Sequence, residues 1–208
     1  MPSKLGRAFR ASPLFHWYKN VAAYGEYFWW RVRGSPHPKM PHLIKQRAIQ
    51  HYAREFKLPV LVETGTNYAQ MIYAQKDRFR EIYSIELDPW KAKSAQRKFA
   101  SRPNIHILEG DSAEVLPKLL AAIREPCLFW LDGHDFDIST PVSRELDALF
   151  HHPVKDHAIL IDDANWFNGH GQYPTIEELR SKVAREYPGH VVEVNHEIIR
   201  IHPPREKQ

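Results

Sequence analysis

Residues 61–88 read LVETGTNYAQMIYAQKDRFREIYSIELD, and this stretch decides the fold. Pro59 precedes a short apolar run, Val60, Leu61 and Val62, of the kind that forms a strand buried on both faces. The run ends in Glu63, Thr64, Gly65 and Thr66, where Gly65 supplies the backbone freedom of a sharp strand-to-helix turn. Tyr68, Met71, Ile72 and Phe79 then follow at helical spacing on roughly one face. A second apolar run, Ile82, Tyr83, Ser84 and Ile85, ends in Glu86. That carboxylate falls about 20 residues beyond the glycine turn, where a nucleotide-binding βαβ unit directs an acidic side chain at ribose hydroxyls.

The turn also narrows the ligand. A dinucleotide needs a second glycine so that the backbone can approach its pyrophosphate, and here that position is Asn67, with Ala69 at the last glycine position. No G-x-x-x-x-G-K-[ST] loop is present. Glu63, just before the turn, suits a cationic ligand better than a polyphosphate. An adenosyl ligand without phosphates, S-adenosylmethionine, meets these demands better than a nicotinamide dinucleotide.

The pattern continues on either side. Residues 42–56 have helical spacing and lead into the first strand; residues 104–108 read as a third strand, 127–131 as a fourth and 157–161 as a fifth. Asp88 before Pro89 opens a helix whose four Lys or Arg side chains read as a solvated face. Asp111, with Glu114 three residues later, is spaced for a capping box on a helix over 113–123. Residues 141–150 are a crossover helix, Thr175 to Glu178 begin another with a capping-box pattern, and 191–194 with 198–201 form a closing hairpin. Strands alternating with helices define an α/β fold, Rossmann-like and doubly wound, with a mostly parallel sheet and a C-terminal antiparallel hairpin.

The N-terminal extension, residues 1–40, differs from the α/β domain expected over 41–208. Lys4, Arg7 and Arg10 precede Phe15, Trp17, Tyr18, Tyr24, Tyr27, Phe28, Trp29 and Trp30, then Arg31 and Arg33, and residues 34–38 read as a linker. Such aromatic density belongs to a helix or arm packed on the domain or on a second subunit in a homodimer; a lid over the acceptor site and a membrane-surface contact are the alternatives.

Among 208 residues, 43% are hydrophobic, enough for one α/β domain with a core and an extension. The formal net charge of +4 is mild, and without an arginine-rich tract nucleic acid is not the expected partner. The single cysteine, Cys127, excludes an internal disulfide and reads as a reduced core residue. No apolar run reaches the ~20 residues of a membrane span and no signal peptide is visible, so a cytoplasmic location is expected.

The motifs VETGT, IYSIELDP, ILEGDSAEVLP, FWLDGH and ILIDDA, in this order at strand ends, resemble the class I S-adenosylmethionine-dependent methyltransferases over residues 60–203. The branch they are most similar to is the small, metal-dependent O-methyltransferases of sugars and natural products. The resemblance implies a seven-stranded sheet and a small hydroxylated acceptor. It implies cofactor contacts from Glu63, Thr64, Gly65, Thr66, Asn67, Glu86 and Asp132. It also places Asp111 and Ser112 at the adenine edge, which is compatible with a capping role for Asp111.

Glu63, Glu86, Asp111, Asp132, Asp162 and Asp163 all fall at carboxyl ends of strands, where open α/β sheets bind ligands. So many carboxylates need compensating cations. Asp132, Asp162 and Asp163 match the family's metal positions and offer hard oxygen donors suited to Mg²⁺; structural caps at strand ends are the plain alternative. His134 is the candidate general base beside Asp132, a departure from the carboxylate that related sugar-modifying enzymes carry there, with Asp135, Asp137 and His170 as substitutes. The segment 165–174 suits an acceptor-binding loop or an ordinary packed connection, and His151 with His152 reads as a surface helix end. The leading function is metal-assisted methyl transfer to a hydroxyl. A metal-independent methyltransferase acting on another acceptor, and a non-catalytic adenosyl-binding module working through its aromatic arm, are the alternatives. A nicotinamide oxidoreductase fits least.

Overall fold

The computed structural model describes residues 9, 12–32, 40–133 and 140–205. The sequence-based readings at Lys4, Arg7, Arg10, Arg33, the linker 34–38, His134, Asp135 and Asp137 lie outside these residues.

Seven strands form one sheet: β1 (Val60–Thr64), β2 (Glu81–Glu86), β3 (Ile105–Glu109), β4 (Leu128–Leu131), β5 (Ala158–Ile161), β6 (Val191–Asn195) and β7 (Ile198–His202). Their spatial order is β3-β2-β1-β4-β5-β7-β6. The first five pair in parallel, and β7 pairs antiparallel with both β5 and β6. The order reverses between β1 and β4, so the crevice at the switch point opens at the carboxyl ends of those two strands. The helices are α1 (Pro13–Val32), α2 (His42–Glu55), α3 (Gln70–Gln75), α4 (Pro89–Lys98), α5 (Ser112–Leu120), α6 (Val142–His151) and α7 (Ile176–Glu186).

The central strands are apolar because both faces are covered. One face packs Val62, Phe129, Leu131, Ile159 and Ile161 under Leu116, Leu146, Leu149, Leu179 and Val183. The other packs Leu61, Ile82, Leu128, Trp130 and Leu160 under Ile44, Ile49, Tyr52, Ile72 and Ala92.

Local chemistry explains the helix starts. Asp88 accepts the amides of Trp90 and Lys91 at the head of α4, with Pro89 in the first turn. Thr175 and Glu178 form the expected capping box: the Glu178 amide donates to Thr175 Oγ1 at 3.1 Å, and the Thr175 amide donates to Glu178 Oε2 at 2.7 Å. Elsewhere boundaries differ. Helix α3 is only Gln70–Gln75, because Asn67 and Ala69 both take left-handed backbone conformations (φ 49° and 61°) and delay its start; Tyr68 lies in the turn, and Phe79 is buried beyond the helix. Helix α5 ends at Leu120, not at 123.

Helix α1 packs through Phe15, Ala23, Tyr27 and Trp30. Phe15 meets Tyr68 of the first turn at 6.5 Å between ring centroids, and Trp30 meets His196 of the β6–β7 turn at 5.6 Å. Both turns lie at the rim formed by the carboxyl ends of the parallel strands, so α1 spans that rim. Arg47 of α2 stacks over Tyr27 at 4.4 Å. The outward side of α1 exposes Leu14, Trp17, Tyr18, Val21, Tyr24, Phe28, Trp29 and Val32.

Candidate active site

Strand-end hydrogen bonds bring the motifs together. The Gly65 amide donates to Ile85 O, the Gly110 amide to Glu86 O, the Asp132 amide to Thr64 O and the Asp162 amide to Leu131 O, at 2.9 to 3.1 Å. One rim therefore carries Glu63, Glu86, Asp111, Asp132, Asp162 and Asp163. Gly65 is required twice over at its centre. Its φ is +85°, and a Cβ there would lie 2.2 Å from the carbonyl oxygen of Asp132. Only glycine lets β1 turn at the switch point while β4 passes so close.

Glu86 is buried and rigidly held. Its Oε2 accepts the Asn67 amide at 2.6 Å and its Oε1 accepts the Asp88 amide at 2.9 Å. A carboxylate has about four acceptor positions, so each oxygen retains capacity for a hydroxyl donor. Glu63 is buried as well and accepts the Ser84 hydroxyl, which also pairs with Thr66 Oγ1 at 2.6 Å. Burial pushes the Glu63 carboxyl well above the usual range; the Ser84 hydrogen bond opposes this, and the charges of Asp132 and Glu86 add to it. Two buried carboxylates around a turn make a poor cradle for a polyphosphate and an acceptable one for a cationic adenosyl ligand with free ribose hydroxyls. The residues present fit S-adenosylmethionine.

At the adenine position expected from the sequence, Asp111 does cap α5, accepting the Ala113 amide at 2.9 Å, and its other oxygen pairs with Arg144 at 3.3 Å. Ser112 is buried beside it.

The expected metal set looks different in three dimensions. Lys45, on α2, reaches across with its ammonium against Asp162 Oδ2 and lies 3.9 Å from Asp163 Oδ1. Burial disfavours the ammonium, but the charges of Asp162 and Asp132 outweigh it, so Lys45 is held above the ordinary lysine range. Burial pushes Asp162 up in turn, and the Lys45 charge counters it. Asp162 is 1% exposed, and its Oδ1 has no hydrogen-bond partner among the described residues. Among those residues no group of three or more His, Cys, Asp or Glu side chains is arranged to hold a metal ion. With Asp162 engaged by the Lys45 ammonium and Asp163 beside it, the donor set as arranged does not fit Mg²⁺.

Sequence reasoning missed Lys45, although a signal existed. It precedes Ile49 by four residues and Tyr52 by seven, which places a lysine on the buried stripe of α2. Glu145 of α6 was missed too: it is 1% exposed and its Oε1 lies 3.5 Å from where a Cβ on Gly133 would sit. Two surface assignments need correction. His152 is buried, because its ring bridges His157 Nε2 and Leu120 O, each at 3.0 Å. Lys98 of α4 is half-buried and donates to Tyr68 O at 3.2 Å, with burial lowering its pKa to about 8.

The segment after Asp163 is largely packed. Phe167 and Tyr173 are buried in mutual edge contact at 5.6 Å, while Trp166 stacks on Tyr173 at 6.0 Å and remains 40% exposed. His170 is exposed. Cys127 is fully buried just ahead of β4, and burial pushes its thiol up to about 12, as a reduced core residue requires.

No family model and no curated protein sequence matches the chain. Solved structures do. The chain is similar to the 23S rRNA methyltransferase ErmE, at 21% identity over 77% of this chain and 68% of that one, with a TM-score of 0.52. It is similar to the methyltransferase PaMTH1 of Podospora anserina, solved with S-adenosylhomocysteine, at 15% identity over 98% of both chains and a TM-score of 0.55. A third is MycE of the mycinamycin biosynthetic pathway, solved with Mg, S-adenosylhomocysteine and mycinamycin VI, at 20% identity, 75% and 49% coverage and a TM-score of 0.51; the chain spans about half of MycE. The fold is therefore that of the class I S-adenosylmethionine-dependent methyltransferases.

Proposed function

We propose that the chain is an S-adenosylmethionine-dependent methyltransferase acting on a hydroxyl of a small acceptor, such as a sugar or a natural-product intermediate. The observation that carries this reading is Glu86: a buried carboxylate at the end of β2, clamped by the Asn67 and Asp88 amides beside the Gly65 turn. In this reading Glu86 takes the ribose hydroxyls, Glu63 to Asn67 and Asp132 line the amino-acid and ribose portions, and Asp111 with Ser112 borders the adenine. S-adenosylmethionine supplies an electrophilic methyl; the acceptor oxygen bonds to it, the C–S pair stays on sulfur, and the hydroxyl proton leaves. His134, two residues from Asp132, is the proposed base, with Asp132 helping to orient it.

Metal assistance through Asp132, Asp162 and Asp163 is the finer reading that the sequence suggests. Because Lys45 occupies their common ground, no step is assigned to an ion. The neighbours include a 23S rRNA methyltransferase and a protein solved with mycinamycin VI, so the acceptor is proposed from this chain alone: the described rim is acidic, which disfavours a polyanion. The test is methyl transfer from isotope-labelled S-adenosylmethionine to panels of phenols, sugars, amines and RNA, with and without EDTA. Labelling of a hydroxylated compound is expected; labelling of RNA or amines only would refute the acceptor class.

The exposed apolar side of α1, from Leu14 to Val32, supports a homodimer through the N-terminal extension. Light scattering tests it: Trp17→Glu should lower the mass of a dimeric wild type to that of a monomer, and a monomeric wild type would refute it. None of the described helices is long and apolar enough to cross a membrane.

A further inference from the structure

We infer that Lys45 is the resident cation of this rim, standing between Asp132, Asp162 and Asp163 in place of a divalent ion, and that the acceptor side of the site works without a metal. The inference rests on the methyltransferase reading only for what the rim is for; the geometry stands independently.

Three observations converge. The ammonium comes from a different helix, α2, and makes its closest contact with the most buried of the three aspartates. It also lies within 3.9 Å of Asp163 Oδ1, so one lysine serves two adjacent carboxylates. Mg²⁺ demands near-octahedral oxygen ligands at about 2.0–2.1 Å, which a carboxylate already engaged by an ammonium cannot supply without displacing it. A lysine and a divalent ion at this distance would repel each other, so the two are alternatives for one place. The third observation is the unpartnered Oδ1 of Asp162, buried beside the ammonium among the described residues. A buried acceptor oxygen left without a donor is costly. The ammonium that offsets it has three donors and can also hold the oxygen of an acceptor hydroxyl. Lys45 then does part of what a metal does elsewhere: it neutralises the rim and fixes the acceptor oxygen.

The experiment is a Mn²⁺ titration of the full chain, monitored by electron paramagnetic resonance in the presence of saturating S-adenosylhomocysteine. Wild type, Lys45→Ala, Lys45→Met and the double variant Lys45→Ala/Asp162→Asn are compared; Lys45→Met keeps the apolar stem in case the alanine variant fails to fold. Wild type should show no Mn²⁺ site up to about 1 mM. The single variants should gain a site at least about tenfold tighter than wild type, and the double variant should lose it. Mn²⁺ binding by wild type in this range would overturn the inference, and so would single variants that gain nothing. A wild type that ignores S-adenosylhomocysteine would instead sink the methyltransferase reading, leaving the Mn²⁺ comparison to be judged on its own.

Discussion

Mild acid should weaken the fold through one buried imidazole. His157 is fully buried between two partners: the Cys127 amide donates to its Nδ1, and its Nε2 faces His152 Nδ1, both at 3.0 Å. Because Nδ1 accepts, the ring's single proton belongs on Nε2, where it is donated to His152; the His152 Nε2–H then reaches Leu120 O. The chain of bonds is complete with both rings neutral, and a second proton on His157 has no acceptor. Burial, and then the neighbouring His152, His190 and Lys155, push its pKa from 6.5 down to about 3. Between those values the unfolded chain binds a proton that the folded chain refuses, so stability rises with pH through the window and falls as pH drops below about 6.5. At one pKa unit per 1.36 kcal/mol, the loss between pH 7 and pH 5 is about 2 kcal/mol from this group alone. Urea denaturation of wild type and His157→Gln at pH 7, 6 and 5 isolates it from the other histidines. The variant's stability should fall less steeply with acid by about that amount. Parallel slopes, or a His157 ring resonance titrating near pH 6, would refute the reasoning.

Two further outcomes follow from geometry already described. Gly65→Ala combines a left-handed backbone with a Cβ 2.2 Å from the Asp132 carbonyl; it should cost about 1–3 kcal/mol or more in thermal or urea unfolding and reduce S-adenosylhomocysteine affinity at least about tenfold, whereas unchanged affinity would show that β1 and β4 can part cheaply. Thr175→Ala removes one half of the α7 capping box and should cost about 1 kcal/mol without altering ligand binding. Urea midpoints at constant slope would read this out.

What was legible in the sequence was what is encoded locally. Strand ends, the Gly65 turn, the Asp88–Pro89 cap and the Thr175 box each depend on residues a few positions apart, and each stands where the pattern put it. The closing hairpin was legible for the same reason. The metal question was not, because Lys45 and Asp162 are 117 residues apart and nothing in either neighbourhood names the other. Only the position of Lys45 on the buried stripe of α2 hinted that it needed an anion. His152 looked exposed because histidine pairs at a helix end usually are; its partner lies across a loop at His157, and paired neutral imidazoles can be buried where single ones are costly. Helix α3 was overestimated because apolar spacing does not register the two departures into left-handed backbone at Asn67 and Ala69.

The adenosyl site is the centre of the account, and isothermal calorimetry with S-adenosylhomocysteine on wild type and Glu86→Ala tests it most directly. Glu86 holds the first turn to β2 through two backbone amides and is the proposed ribose partner. Saturable one-to-one binding by wild type and a loss of at least about a hundredfold in the variant are expected. Wild type without binding, or a Glu86→Ala protein that binds as tightly as wild type, would contradict it.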